Sequence, residues 1–226
     1  MNAAAQPGAA PLAHVAAQVL GALDPELPVY AVLDGARDSR LLSWVTRTGA
    51  PAWCLYAGEL PAELAEAAPW LLRLGRGHEY AAEFFNEGWF DAWGIVFASA
   101  APSKQLRRHL RRFLLARTEA GKRLLFRYYD PRVLRAYLPT CNAGELENFF
   151  GPIDAFATPS RDPHAFQIFR RDGARLAERS IAYDPPRAAA PKAAPRELTL
   201  EEIVLRRQEE ARKHQPRRLG ATPFSS

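Results

Sequence analysis

An α/β domain is what this sequence predicts, and three observations predict it. Short apolar runs rich in β-branched and aromatic residues alternate along the chain with segments of helical period. Prolines and small polar residues stand where helices should start and stop. Two of the apolar runs, Phe113–Thr118 and Leu124–Tyr129, lie close enough to form a hairpin over Glu119-Ala120-Gly121-Lys122. The expected architecture is therefore a mixed β-sheet with flanking helices, followed by a C-terminal Pro-rich linker and a charged helix.

The elements follow in order. Val29–Leu33, Ala52–Tyr56, Trp70–Leu74 and Ile95–Ala98 read as strands from their length and side chains. Arg37–Arg47, Pro61–Ala67, Glu79–Gly88 and Ser103–Arg112 read as the helices between and after them. Pro61 and Pro102 suit a first turn, where a missing N–H costs nothing. After the hairpin, Asp130 and Pro131 make an N-cap and first-position pair for a helix over Arg132–Leu138, which Pro139 stops. Asn142 and Glu145 have the spacing of a capping box for Gly144–Phe150, and Gly151-Pro152 ends that helix. Three further strand-like runs are Ile153–Ala157, Ala165–Phe169 and Arg175–Ile181, with a turn at Asp172-Gly173.

Composition divides the 226 residues into zones. Residues 1–11 are rich in Ala, Pro and Gly and should be flexible, and residues 12–183 form the α/β domain. Residues 184–196 carry four prolines in thirteen positions and read as a semi-extended linker. Residues 197–226 hold a charged helix and tail; Thr199 with Glu202 forms a capping box, and Leu198 can staple onto Ile203. Charge is polarised. Residues 1–186 hold 21 Lys and Arg against 20 Asp and Glu, yet the stretch 104–135 alone holds 11 basic residues against Glu119 and Asp130. The remainder of the body is acidic, so the basic stretch stands out as a local feature.

The compartment and the chemistry are bounded mainly by what the sequence lacks. Cys54 and Cys141 have no paired spacing, which excludes a disulfide framework and suits a reducing compartment. The Ala-rich start lacks the basic and continuous apolar regions of a signal peptide, and no apolar run approaches the roughly 20 residues of a membrane span. The expectation is a cytoplasmic protein. Phosphate-loop, dinucleotide, nucleophile-elbow and HExxH motifs are all missing. The five histidines include no i, i+4 pair, and Glu83 with Glu87 reads as a solvated helix face. No catalytic, cofactor-binding or metal-ligating residue is expected.

Two segments could meet a partner. In the basic helix, Leu106, Leu110, Phe113 and Leu114 share a core face, so Arg107, Arg108, Arg111 and Arg112 form an outward stripe. That stripe is either a solvated face or a partner-binding one, with a nucleic-acid interface as the alternative. Aromatic residues do not interleave with it, which counts against base stacking. In Phe126-Arg127-Tyr128-Tyr129-Asp130-Pro131-Arg132, a strand ends in two tyrosines and turns at a capping Asp. Arg127, Tyr128, Tyr129, Asp130 and Arg132 either lock a strand–helix corner by a charge-assisted pair or form a recognition surface of Arg and Tyr.

The same segment carries a family resemblance. FRYYDPRVLRAYLP, with HLRRFL before it and ENFFGPI after it, is similar to the bacterial domain of unknown function 4123. The match runs in family order from about residue 28 to 153. It includes Tyr30 to Ala36, Pro69-Trp70-Leu71, Trp89, Trp93-Gly94 and Ser99. The resemblance implies a type VI secretion adaptor and effector chaperone. Such a protein binds the N-terminal or transmembrane-containing region of a cognate toxic effector. It then helps load that effector onto the trimeric valine–glycine-repeat spike protein, without catalysis and without a cofactor. A nucleic-acid partner and a membrane span are not expected on this reading.

Overall fold

Alternating side chains bury both faces of one sheet, and that sets the architecture. The computed structural model describes residues 10–117 and 123–183. Nine strands are seen among them: β1 Val29–Asp34, β2 Ala52–Cys54, β3 Pro69–Arg73, β4 Gly94–Ala98, β5 Leu115–Arg117, β6 Arg123–Leu125, β7 Ala155–Pro159, β8 Ala165–Asp172 and β9 Arg175–Ala182. The helices are α1 Ala10–Ala22, α2 Leu41–Thr48, α3 Ala62–Glu66, α4 Glu79–Glu83, α5 Ser103–Arg111, α6 Pro131–Tyr137 and α7 Ala143–Phe150. Seven strands form a sheet in the order β2-β3-β1-β4-β7-β8-β9, and β5 pairs with β6 in a separate hairpin. The α/β class is as expected. Every described pairing in the sheet is antiparallel.

Along β1, Val29, Ala31 and Leu33 face one core while Tyr30 and Val32 face the other. The first core is closed by α1, α2 and the aromatic residues Phe84, Phe85, Trp89 and Trp93. The second is closed by Leu106 and Leu110 of α5, Leu134 of α6, and Leu146, Phe149 and Phe150 of α7. All six residues of β1 are buried, as are all five of β4. These are strands of a sheet covered by helices on both sides. The edges differ: β2 is three residues long, whereas β9 is eight and mostly exposed.

The capping signals act where the spacing places them. Asp130 accepts from the Arg132 backbone N–H at 2.9 Å and caps α6. Asn142 and Glu145 close a capping box on α7, with bonds of 2.8 and 3.0 Å. Gly151 at φ 48° ends that helix. Four details depart from the expectations. Helix α2 begins at Leu41 rather than Arg37, because Asp38 accepts from the Arg40 N–H and holds that turn out of the helix. The helix read over Glu79–Gly88 changes to a π turn at Phe84–Gly88, where the Trp89 N–H reaches the Phe84 carbonyl. That turn buries Phe84, Phe85 and Trp89 together. Tyr128 and Tyr129 lie in a turn beyond β6, not in a strand. Helix α1 starts at Ala10, inside the segment expected to be flexible. The loop of the β5–β6 hairpin, the linker 184–196 and the helix and tail 197–226 lie outside the described residues.

Two glycines let the central strands approach. A Cβ on Gly94 would strike the Val32 carbonyl oxygen, and one on Gly35 would strike those of Glu66 and Ala68. The obstacle in each case is backbone that cannot swing away. Gly94→Ala should therefore cost about 1–3 kcal/mol by overpacking, read as a lower melting temperature. Gly144→Ala, where only the Asn142 side chain is near and at 3.5 Å, is the contrasting variant with little loss.

Candidate interaction surface

The densest motif folds into a charged corner at the end of β1. Asp34 is 1% exposed there, and Arg127 reaches it from the turn before α6. The Arg127 Nε–H donates to Asp34 Oδ2 at 3.0 Å, and Nη2 donates to the same oxygen. Beside it, Arg132 grips Asp130 with Nε to Oδ1 at 3.0 Å and Nη2 to Oδ2 at 2.6 Å. Burial alone would lower the Arg127 pKa, but the charges of Asp34 and Asp130 and the hydrogen bond to Asp34 hold it above its ordinary value. Burial would likewise raise Asp130, yet Arg132 keeps its carboxyl below the usual range. The corner is therefore built of two arginine–aspartate ion pairs.

The tyrosines of the motif turn inward. Tyr128 is 0% exposed and Tyr129 1%. The Tyr128 hydroxyl donates to the Leu110 carbonyl at 3.0 Å, which ties the corner to α5, and burial pushes its pKa up. A recognition surface of Arg and Tyr does not form here, because the rings fill the second core and Asp130 is spent on the cap and on Arg132. The physical reason is packing: Tyr128 sits among Phe113, Phe126, Tyr129 and Phe149 with centroids 5.4 to 6.4 Å away.

The outward stripe of α5 also divides. Arg107 donates to the Cys54 carbonyl at 3.0 Å. Arg111 donates to the Leu55 carbonyl at 2.8 Å and to that of Tyr56. Both guanidiniums thereby satisfy the chain leaving edge strand β2 and are partly buried. Arg112 is exposed, with Nη2 on Asn148 Oδ1 at 2.8 Å and its guanidinium 5.8 Å from the Phe113 ring. Arg108 is exposed, as is Lys104 one turn before it. Of the four arginines read as one stripe, two bind backbone and two remain on the surface.

Sequence reasoning missed Asp34 as the partner of Arg127. A signal was present, since an acid closing an apolar strand needs a cation, but 93 positions separate the two. It also missed His109, which is buried between α5 and α7 with Nε2 at 2.9 Å from the Phe149 carbonyl. That carbonyl can only accept, so the neutral ring carries its proton on Nε2. Among the described residues, no group of three or more His, Cys, Asp or Glu could hold a metal ion. No helix there is long and apolar enough to cross a membrane.

A sheet covered on both faces, with its motif residues spent on locking one corner, defines an α/β domain built around a buried ionic joint. The family is named by its sequence model: residues 29–148 match the model of Domain of unknown function (DUF4123), and the chain belongs to that family. No curated protein and no solved structure matches the chain.

Two outcomes test the corner and the α5–α7 contact beside it. Asp34→Asn and Arg127→Ala should each cost about 3–5 kcal/mol, because either leaves a buried group unanswered. The double variant Asp34→Asn/Arg127→Ala should lose less than the two singles summed, as a denaturant-based double-mutant cycle would show. The second outcome concerns pH. Burial, the largest cause, lowers the His109 pKa below 6.5, opposed by the Phe149 bond and helped by Arg112. The unfolded chain then binds the proton more readily. His109's contribution is complete above pH 6.5 and is lost as the pH falls below it. Stability should drop between pH 7 and 5, and His109→Gln should flatten that slope in melts across the range.

Proposed function

We propose that this chain is a non-catalytic adaptor of type VI secretion. It binds a cognate toxic effector in the cytoplasm of the producing cell, through that protein's N-terminal or transmembrane-containing region. It then promotes loading of the effector onto the valine–glycine-repeat spike protein. The observation that carries this reading is family membership over residues 29–148, a span that holds the ordered motifs from Tyr30 to Asp130.

The geometry supports the reading from a second side. Asp34, Arg127, Asp130 and Arg132 form a cluster of ionisable groups, and they are engaged with one another and with a helix cap. A substrate would have to break those pairs to use them. Contact with a partner therefore falls to residues that remain exposed, and binding rather than bond-making is the activity. No cofactor or metal enters this mechanism, and it needs neither a nucleic-acid partner nor a membrane span.

Co-expression with any toxin and spike protein that neighbouring genes encode, followed by affinity capture and gel filtration, tests the proposal. The expected result is co-elution with the effector, and with the spike when all three are present. A folded protein that captures neither would overturn it.

A further inference from the structure

The surface that the corner leaves open has a definite chemistry. Lys104, Arg108 and Arg112 are exposed at i, i+4 and i+8 of one helix, a ridge about 12 Å long at 1.5 Å per residue. Neither Lys104 nor Arg108 has a carboxylate partner among the described residues, and Arg112 bonds only the neutral Asn148 and the Phe113 ring. Helix α5 contains no acid of its own. Like charges one turn apart destabilise a helix by a few tenths of a kcal/mol per pair, and salt only partly relieves it. Arg107 and Arg111, turned to the other side, add to that field. An acidic partner would relieve all of it at once.

A second observation stands three residues beyond Arg112. Leu115 at the start of β5 is 58% exposed, one of two large exposed hydrophobic residues in the described chain. Its cross-strand neighbour is Leu125, half-buried on the second core. The exposed apolar side chain three residues beyond the cationic ridge is thus aliphatic, and Phe113, between them in the chain, is already packed on Tyr128 and Phe149. A base-stacking platform needs an open ring. An acidic segment with an apolar side chain at the end of its acidic face needs what is here.

We infer that the ridge of Lys104, Arg108 and Arg112, with Leu115 at its end, docks an acidic amphipathic segment of a protein partner. Naming that partner as the effector or the spike rests on the adaptor reading above. The chemistry of the ridge does not.

The test uses the full chain and a labelled helical peptide of repeating Glu-Leu-Ala-Glu blocks, read by fluorescence anisotropy. A Gln-for-Glu version and a short DNA duplex serve as competitors. Wild type should bind the Glu peptide with an affinity that falls with salt, and the Gln version at least about tenfold more weakly. The triple variant Lys104→Glu/Arg108→Glu/Arg112→Glu should lose about tenfold or more, and Leu115→Ser about threefold even at high salt. Arg171→Glu/Arg175→Glu, at the exposed β8–β9 turn, should bind as wild type.

Undiminished binding by a folded triple variant would overturn the inference. So would no peptide binding by wild type, or a DNA duplex that binds the ridge more tightly than the peptide. Arg112 contacts α7, so if the triple variant melts early, Lys104→Glu/Arg108→Glu decides in its place. Co-purification separates the two claims. If wild type captures the effector and the triple variant captures it equally, the inference falls and the adaptor reading stands. If wild type captures neither effector nor spike, the adaptor reading falls and the peptide titration still decides the ridge.

Discussion

A carboxylate sealed at the end of an interior strand must be answered by a cation, and one corner of this fold is arranged so that it is. Asp34 ends β1, a strand with neighbours on both sides and helices above and below. Leaving that charge alone in the interior would cost several kcal/mol, a large part of the 5–15 kcal/mol that separates folded from unfolded domains. Arg127 supplies the answer only if the turn after β6 lies against the end of β1. The Asp130 cap, the Arg132 grip and the Tyr128 hydroxyl on the Leu110 carbonyl all hold it there. The pair is weak evidence for high stability. It does fix which strand end meets which helix start.

The elements legible in the sequence were those whose signals are local. The capping box of Asn142 and Glu145, the Asp130-Pro131 start and the strand runs at 29, 70 and 95 need only neighbouring residues to be read. Boundaries shifted where a side chain intervened, as Asp38 does before α2. Helix α1 went unassigned although Val15, Val19 and Leu23 recur at helical spacing and are all buried. The surrounding alanines gave a uniform composition that masked the stripe.

The candidate site was less legible, for a physical reason. A helical wheel sorts residues by angle but cannot say whether the next layer offers carbonyls or water. Arg107 and Arg111 sit beside the carbonyls of the chain leaving β2, and long guanidinium stems reach them easily. Charge counting placed all four arginines outside, whereas hydrogen-bond satisfaction drew two of them in. The tyrosines followed the same logic: each carries a polar tip, and Tyr128 buries its tip because a helix-terminal carbonyl is there to receive it.

The long strand at the far edge has a consequence for crowding. Two copies of β9 could join their sheets only about a two-fold axis normal to the sheet, which keeps each side chain on its own face. The two longest overlaps centre on residue 178 or 179, setting Glu178 against Glu178 in one and Arg179 against Arg179 in the other. A shorter overlap centred on Ala177 sets Arg175 against Arg179. Charge placement in these registers thus discourages this edge from pairing with a second copy of itself.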